Sequence, residues 1–344
     1  MALRTQTGDR ADAGEPAART DARLGRLLRR LQDHPVLVMS GTKLAAELGT
    51  GRSEVWRLVQ QLRELGVEIS GHPSTGYRLE KVPDLLLPEI LNPRLDSTIF
   101  ANHLHHFFRA GSTNTLAMHA ASRGEPEGTV FLAEEQTAGR GRGAHRWESN
   151  PSEGIYCSAL LRPHLAPADV LLFSLAAGLA VWEAVRQVTA LETDLRWPND
   201  VLCGERKLCG ILIEMHAEAT RVHHLIAGIG LNVNQREFPP ELRPVATSLR
   251  LESGLDWSRV ELAAALLKSL DREYRAFVAD KEVSRCGILQ RFEQHSSYVR
   301  GRTVQVDEDG GYQGTTAGLD AHGFLQVQTA AGIKTVLSGG VRPG

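Results

Sequence analysis

Of the 39 cationic residues among 344, only six are lysines: Lys43, Lys81, Lys207, Lys268, Lys281 and Lys334. A lysine inside a motif therefore stands out. The four cysteines, Cys157, Cys203, Cys209 and Cys286, form no CxxC pair, and Cys203 and Cys209 are not at zinc-knuckle spacing. Their expected state is free thiols in a reducing cytosol. No apolar leader follows the N-terminal MALRTQTGDR. The longest uncharged apolar stretch, Val170 to Trp182, is shorter than the ~18 residues of a membrane span. The expectation is a soluble, cytoplasmic protein with no membrane partner. Excess charge of either sign is also lacking. Asp and Glu number 41, the formal charge is -2, and neither a histone-like protein nor an acidic disordered chain fits the whole. A local basic patch remains compatible with that balance.

What is present is an ordinary globular composition, 42% hydrophobic and 23% charged, long enough for two or three domains. There are no internal repeats. Residues 1–20 are poor in large apolar side chains and read as a disordered tail. Residues 21–80 read as helix, helix, turn, helix and hairpin. Leu24, Leu27, Leu28 and Leu31 recur at helical spacing, as do Val55, Leu58, Val59, Leu62 and Leu65, with Gly66 as the stop. That order is a winged helix-turn-helix. Its second helix of the pair carries Arg52, Ser53, Trp56, Arg57 and Gln60 opposite the apolar face, side chains able to reach phosphates and base edges. With nine cations against seven anions in this segment, electrostatics alone does not single out DNA; a small bundle with a polar face is the plainer reading. Residues 81–98, with Pro83, Pro88 and Pro93, read as a linker. Residues 99–292 read as one α+β domain. Strands are expected at 129–133, 155–161, 208–215 and 223–231, and helices at 113–123, 167–188 and 259–280, the last opened by a Ser258–Glu261 capping box. Residues 296–344 alternate in short segments with Gly-rich turns, the pattern of a small all-β barrel.

The most informative stretch is QTAGRGRGAHRW, Gln136 to Trp147. Glycines let a backbone approach a ligand closely. Arg140 and Arg142 can set guanidinium forks on phosphate or carboxylate oxygens, His145 and Arg146 add positive character, and Trp147 offers a flat face. An anionic small-molecule site, a solvated basic loop and an RGG-like nucleic-acid contact all fit these residues. In Arg196-Trp197-Pro198-Asn199-Asp200, Asp200 can accept from an amine or help hold Mg²⁺; taken alone, the segment reads first as a simple Pro-Asn-Asp turn. Lys207, at the start of RKLCGILIE, can point into a cleft to neutralise an anion or lie on the surface. Ser112-Thr113-Asn114 reads first as a helix N-cap, and also as donors and acceptors for a polar ligand. His103, His105 and His106 suggest a metal at first sight, but no third ligand is indicated and none is expected.

Taken in order, STN (112–114), QxxGRGR (136–142) with Trp147, WPND (197–200), RKLCGILIE (206–214), GIGLNVN (228–234) and ATSL (246–249) resemble the bifunctional biotin protein ligase and biotin-operon repressor family, over nearly the whole chain from about residue 21 to 342. The combination of GRGR with WPND and KxxGILxE is specific; no single piece is. The resemblance implies a mixed α/β catalytic domain of the biotin/lipoate-ligase type and an SH3-like C-terminal barrel. It implies ATP-dependent ligation of biotin, through biotinyl-5′-AMP, to a lysine of the biotin carboxyl carrier protein of acetyl-CoA carboxylase, with Mg²⁺ accompanying ATP. It implies operator DNA as a partner and a homodimer in the adenylate-bound form. By the same resemblance Ser112, Thr113, Asn114 and Gln136 would hold the biotin ring, and Arg140, Gly141 and Arg142 the loop over biotin and adenylate. Lys207 would contact the carboxylate and phosphate. Trp147 and Asn232 would border adenine, with Arg142, Arg146 and Asn199 on the nucleotide. Asp200 would lie near the incoming lysine, and Lys207, Asp200 and Arg142 would carry the chemistry. The chain departs from the family pattern at Ala144, His145 and Arg196. A lipoate-type ligase, and a biotin-sensing DNA-binding regulator with little ligase activity, are the competing expectations.

Overall fold

The computed structural model describes residues 15–35, 37–308, 310–337 and 340–344. They form two compact units: residues up to Leu85 with residues 107–109, and the rest.

The first unit runs α1 (Glu15–Gln32), α2 (Gly41–Leu48), α3 (Arg52–Glu64), β1 (Glu68–His72) and β2 (Gly76–Lys81). Leu27, Leu28, Leu44, Leu58 and Leu62 are fully buried, so the apolar stripes read from the sequence do face a core. Ser40 caps α2 by accepting from the Lys43 amide at 3.2 Å. Gly66, at φ +83°, turns the chain out of α3 into the hairpin. Of the expected tail 1–20, residues 1–14 lie outside the described residues. From Glu15 the backbone is already helical, so α1 starts earlier than the expected boundary near Asp21.

The second unit is built on a seven-stranded sheet. Its members are β3 (Leu104–Ala110), β4 (Val130–Gln136), β5 (Gly154–Leu161), β6 (Asp194–Arg196), β7 (Asp200–Cys203), β8 (Arg206–Ala217) and β9 (Val222–Asn232), in the order β3-β4-β5-β9-β8-β7-β6. Its helices are α4 (Pro88–Leu91), α5 (Thr113–Ser122), α6 (Val170–Thr189), α7 (Leu249–Ser253), α8 (Arg259–Ala279) and α9 (Lys281–Gln294). Alternation along the central strands decides what each face does. Cys157, Ile211 and Ile229 join the apolar core with α6 and α8. Ser158, Gly228 and Leu212 form a cross-strand row pointing the other way, toward α5. Helix Pro167–Thr189 is long and apolar enough to cross a membrane by length and composition, but it is mostly buried inside this unit. The uncharged stretch beginning at Val170 is thus part of a longer core helix.

The expected helix 259–280 is followed by a second, α9, because Asp280 breaks the first and caps the next: its carboxylate accepts from the amides of Glu282 and Val283, both at 3.1 Å. Ser258 caps α8 in the expected way through the Glu261 amide, while the Glu261 carboxylate reaches Arg94. The C-terminal strands β10 (Arg300–Val306), β11 (Tyr312–Leu319), β12 (Leu325–Thr329), β13 (Gly332–Val336) and β14 (Val341–Pro343) make an antiparallel sheet in the order β13-β12-β11-β10-β14. They belong to the second unit, where the Trp197 indole donates to the Gly323 carbonyl at 2.9 Å.

Candidate active site

The site lies on the face of the sheet away from α6. There β8 and β9 present glycine where other strands would present side chains. A Cβ on Gly228 would fall 2.0 Å from the Asn114 amide oxygen, one on Gly230 2.5 Å from the Trp147 ring, and one on Gly210 2.8 Å from the same ring. The glycines of GIGLN and RKLCG therefore make the floor on which Asn114 and Trp147 lie.

Above that floor is a cavity of about 460 Å³, the size of a small-molecule site. One end is neutral and hydrogen-bonding, formed by Ser112, Thr113, Asn114 and Gln136. Ser112 occupies the N-cap position of α5, but its side chain makes no capping bond. The capping acceptor comes from β4 instead: Gln136 Oε1 accepts from the Thr113 amide at 2.9 Å, with the Thr113 hydroxyl oxygen 3.2 Å away. Ser158, on β5, bonds Thr113 Oγ1 at 2.7 Å and Asn114 Oδ1 at 2.6 Å. Asn114 Nδ2 donates to the Leu212 carbonyl and to Glu214 Oε2.

The other end is positive. Arg140, Arg142, Arg146, Arg196, Lys207 and Arg342 line the cavity, with His145, against the single carboxylate of Asp200. That excess in a partly enclosed space favours an anionic ligand. The cations are not equivalent. Lys207 Nζ lies 2.6 Å from Asp200 Oδ1, and Arg196 holds Asp200 Oδ2 at 2.6 Å. Asp200 is thus shared by two cations. The segment 245–247 fixes the Lys207 backbone: its amide donates to the Val245 carbonyl at 2.7 Å, and its carbonyl accepts from Thr247 at 2.9 Å. The ammonium sits 5.6 Å from the centre of the Trp147 ring, whose N–H has no acceptor among the described residues. Arg142 donates to the Asn199 side chain at 3.3 Å, and Asn199 is itself pinned to β8 through the Ile211 carbonyl at 2.7 Å. Arg146 reaches the Thr137 carbonyl at 3.3 Å, and residues 140 and 146 pair across the loop.

Two residues differ from expectation. Arg140, read as an anion contact, has its guanidinium 2.5 Å from Glu214 Oε2. Asn232, read as bordering a ring, is buried. Its amide donates to the Thr247 carbonyl at 3.0 Å and accepts from Gln235, and it does not line the cavity. Its work is to hold the strap that holds Lys207. Sequence reasoning missed Ser158, Glu214 and Arg342. Ser158 and Glu214 carry a signal in retrospect: Gly210, Leu212 and Glu214 alternate on one face of β8, and Ser158 stands across from Gly228. Arg342 follows a change of domain and carries none.

In the first unit, Arg52, Ser53 and Trp56 are exposed on α3, while Arg57 and Gln60 are half-buried. Arg57 is bound by Glu54 at 2.8 and 2.6 Å, and Arg52 reaches the Pro73 carbonyl of the hairpin turn at 2.9 Å. The hydrogen bond between them raises the pKa of Arg57 and lowers that of Glu54. The two arginines expected to meet phosphate are therefore engaged within the unit.

Three family models match the chain: the HTH domain over residues 23–78, the Biotin/lipoate A/B protein ligase family over 107–232, and the Biotin protein ligase C terminal domain over 300–341. The chain is 34% identical to the bifunctional ligase/repressor BirA of Bacillus spizizenii, over 89% of this chain and 94% of that protein. It is 27% identical to the Escherichia coli protein of the same name, over 87% and 91%. Among solved structures, the biotin protein ligase of Aquifex aeolicus in complex with biotin and ATP superposes with a TM-score of 0.62 at 31% identity, covering 71% of this chain and all of that one.

Proposed function

Since the chain belongs to the biotin/lipoate A/B protein ligase family and shares the three-domain order of the ligase/repressors, we propose that it joins biotin to a protein lysine at the expense of ATP and reads DNA with its helix-turn-helix domain. The observation that carries this reading is the two-ended cavity: a neutral hydrogen-bonding end continuous with a cation-lined end. Biotin matches that division, with a ureido ring at one end of the molecule and a carboxylate at the other.

The ring is held by Ser112, Thr113, Asn114 and Gln136, and hydrogen bonds of their own fix the last three before ligand arrives. Its carboxylate lies toward Lys207. A carboxylate oxygen attacks the α-phosphorus of ATP, the bond to the β-phosphate oxygen breaks, and pyrophosphate leaves with biotinyl-5′-AMP retained. The obstacle is that two anions must meet, so positioning and charge neutralisation supply the rate. Lys207, Arg142 and Arg146 supply that field, with Arg196 and Arg342 at the phosphate end. Trp147 offers its face to adenine. Mg²⁺ would come as part of the MgATP substrate and would screen the phosphate charge; among the described residues no group of three His, Cys, Asp or Glu could hold a metal of the protein's own.

In the second step the carrier lysine attacks the carbonyl of the mixed anhydride, the amide forms, and AMP leaves. Asp200, already shared by Lys207 and Arg196, orients the incoming amine and accepts the proton it loses as the amide forms. The Gly-Arg loop covers the anhydride and keeps water from it. The acceptor lysine belongs to the biotin carboxyl carrier protein of acetyl-CoA carboxylase, in the cytoplasm. The adenylate-bound form pairs into a homodimer whose two α3 helices read two half-sites of an operator. Incubating the purified protein with biotin, MgATP and a carrier domain, then blotting for biotin, tests the reading. Transfer of biotin supports it. Transfer of lipoate but not biotin, or neither, overturns it.

A further inference from the structure

A continuous chain of hydrogen bonds runs from the ring end of the cavity to the loop. Gln136 meets Thr113, Thr113 meets Ser158, and Ser158 meets Asn114. Asn114 then donates to Glu214 Oε2 at 2.8 Å, and the same oxygen takes Arg140 Nη2 at 2.5 Å. The proton arrangement is determined. Asn114 Nδ2 faces two acceptors, the Leu212 carbonyl and Glu214, so its Oδ1 must face the Ser158 hydroxyl. Glu214 has no proton to give as a carboxylate, so both neighbours donate to it.

We propose that Glu214 is a positioning residue that couples the ring site to the Gly-Arg loop, by holding Asn114 and Arg140 on one carboxylate oxygen. This rests on the reading of residues 112–114 and Gln136 as the biotin ring site. Elsewhere the loop is tied by neutral acceptors, Arg142 to the Asn199 side chain and Arg146 to the Thr137 carbonyl, both at 3.3 Å. Gly141 donates to the His145 carbonyl and Trp147 to the Gly139 carbonyl, both within the loop and its base. Glu214 is three-quarters buried on a central strand. It therefore gives the loop a charged anchor on the rigid sheet, and a charge-assisted bond of this kind is stronger than a neutral one. The guanidinium of Arg140 serves the anchor, and the loop meets the ligand through its backbone and through Arg142. A ring that fixes Asn114 also fixes the Glu214 oxygen on which Arg140 rests, so occupancy of the ring site and closure of the loop reinforce one another.

The test uses the full chain, with ATP–pyrophosphate exchange and release of preformed biotinyl-adenylate as readouts. Glu214→Ala should raise the KM for biotin and the adenylate release rate about tenfold. Glu214→Gln, which keeps shape and an acceptor but not the charge, should raise both roughly threefold. The KM for ATP should rise clearly less than that for biotin, because Glu214 contacts the ring site directly through Asn114 and reaches the phosphate end only through the loop; a general loss of structure would move both constants together. Arg140→Ala should match Glu214→Ala, and the double variant should be no worse than either single, since both remove one link. Release and biotin KM within twofold of wild type in both Glu214 variants, parallel rises in the two KM values, or effects that multiply in the double variant would each overturn the coupling. If the wild-type protein exchanges no pyrophosphate with biotin, the ligase reading fails and this inference with it. A normal wild type with unaffected variants sinks the inference alone.

Discussion

Lys207 and Asp200 form an ion pair at 2.6 Å in the middle of an otherwise cationic cavity. Arg196 holds the far oxygen of Asp200, so under the proposed function the carboxylate stays compensated when Lys207 turns to a ligand. The family pattern departs from this chain at residue 196, and the arginine there retains the positive charge beside Asp200.

Lys207→Ala should cut adenylate formation by roughly two to three orders of magnitude, the scale of removing one preorganised charge from a transition state. Pyrophosphate exchange at saturating biotin and ATP measures it. Normal exchange would show that Lys207 serves only the ion pair.

Arg142→Gly should let the adenylate escape. Arg142 ties the loop to Asn199 on the sheet side of the cavity, so its loss both removes a charge and loosens the cover. Mass spectrometry of bystander proteins incubated with the variant, biotin and MgATP should find scattered lysine biotinylation. Labelling confined to the carrier would contradict the assignment.

Gly230→Ala should displace Trp147, because its new Cβ would fall 2.5 Å from the indole. The expected result is a tenfold or greater rise in the KM for ATP, with a stability cost of about 1–3 kcal/mol from overpacking. Equal loss of biotin and ATP affinity would mean that the ring does not border the nucleotide.

The helix-turn-helix prediction changes in the light of the fold. Arg57→Ala is expected to weaken DNA binding without touching ligation. Glu54→Gln should do the opposite: it releases Arg57 to a phosphate and steepens the dependence of log affinity on log salt by about one. Anisotropy titrations with duplex DNA across a salt series decide it, and an unchanged slope would mean Arg57 never reaches the backbone.

A buried group sets the acid limit. Glu134 is fully buried. Burial pushes its carboxyl up, but Arg259 at 2.7 Å, His106 at 3.0 Å and the Leu86 amide at 2.9 Å hold it down at about 2. A folded value below the unfolded one means its contribution is complete above about pH 4.5 and drains away as pH falls toward 2. Arg259→Met should leave that carboxylate uncompensated, cost about 3–5 kcal/mol, and move acid unfolding to higher pH. Urea titrations between pH 3 and 7 check it.

The sequence was legible where one residue type could be assigned to one face. The leucines of α1, the apolar face of α3 and the strand runs around 155–161 and 223–231 each announce their elements. The GRGR loop and Lys207 are legible because glycine and lysine are conspicuous there. What could not be read was which cation is free. Arg140, Arg142, Arg52 and Arg57 look alike in sequence; whether each meets a ligand depends on Glu214, Asn199, Pro73 and Glu54, and the first two lie 57 residues or more away. Asn232 failed for a related reason. Alternation puts it on the same face of β9 as Gly228 and Gly230, yet the Thr247 carbonyl and Gln235 take up its amide, and it is buried beside the cavity rather than lining it. Short β6 and β7 lack the length that periodicity needs, and α9, though 14 residues long, carries no clear apolar stripe.

One wall of the cavity, residues 340–342, is made long after the rest. At a synthesis rate of roughly 5–20 residues per second, the loop bearing Arg142 leaves the ribosome on the order of ten seconds or more before Arg342. Until then the cavity lacks that wall and the cation at 342, so on the proposed function its phosphate end is completed last.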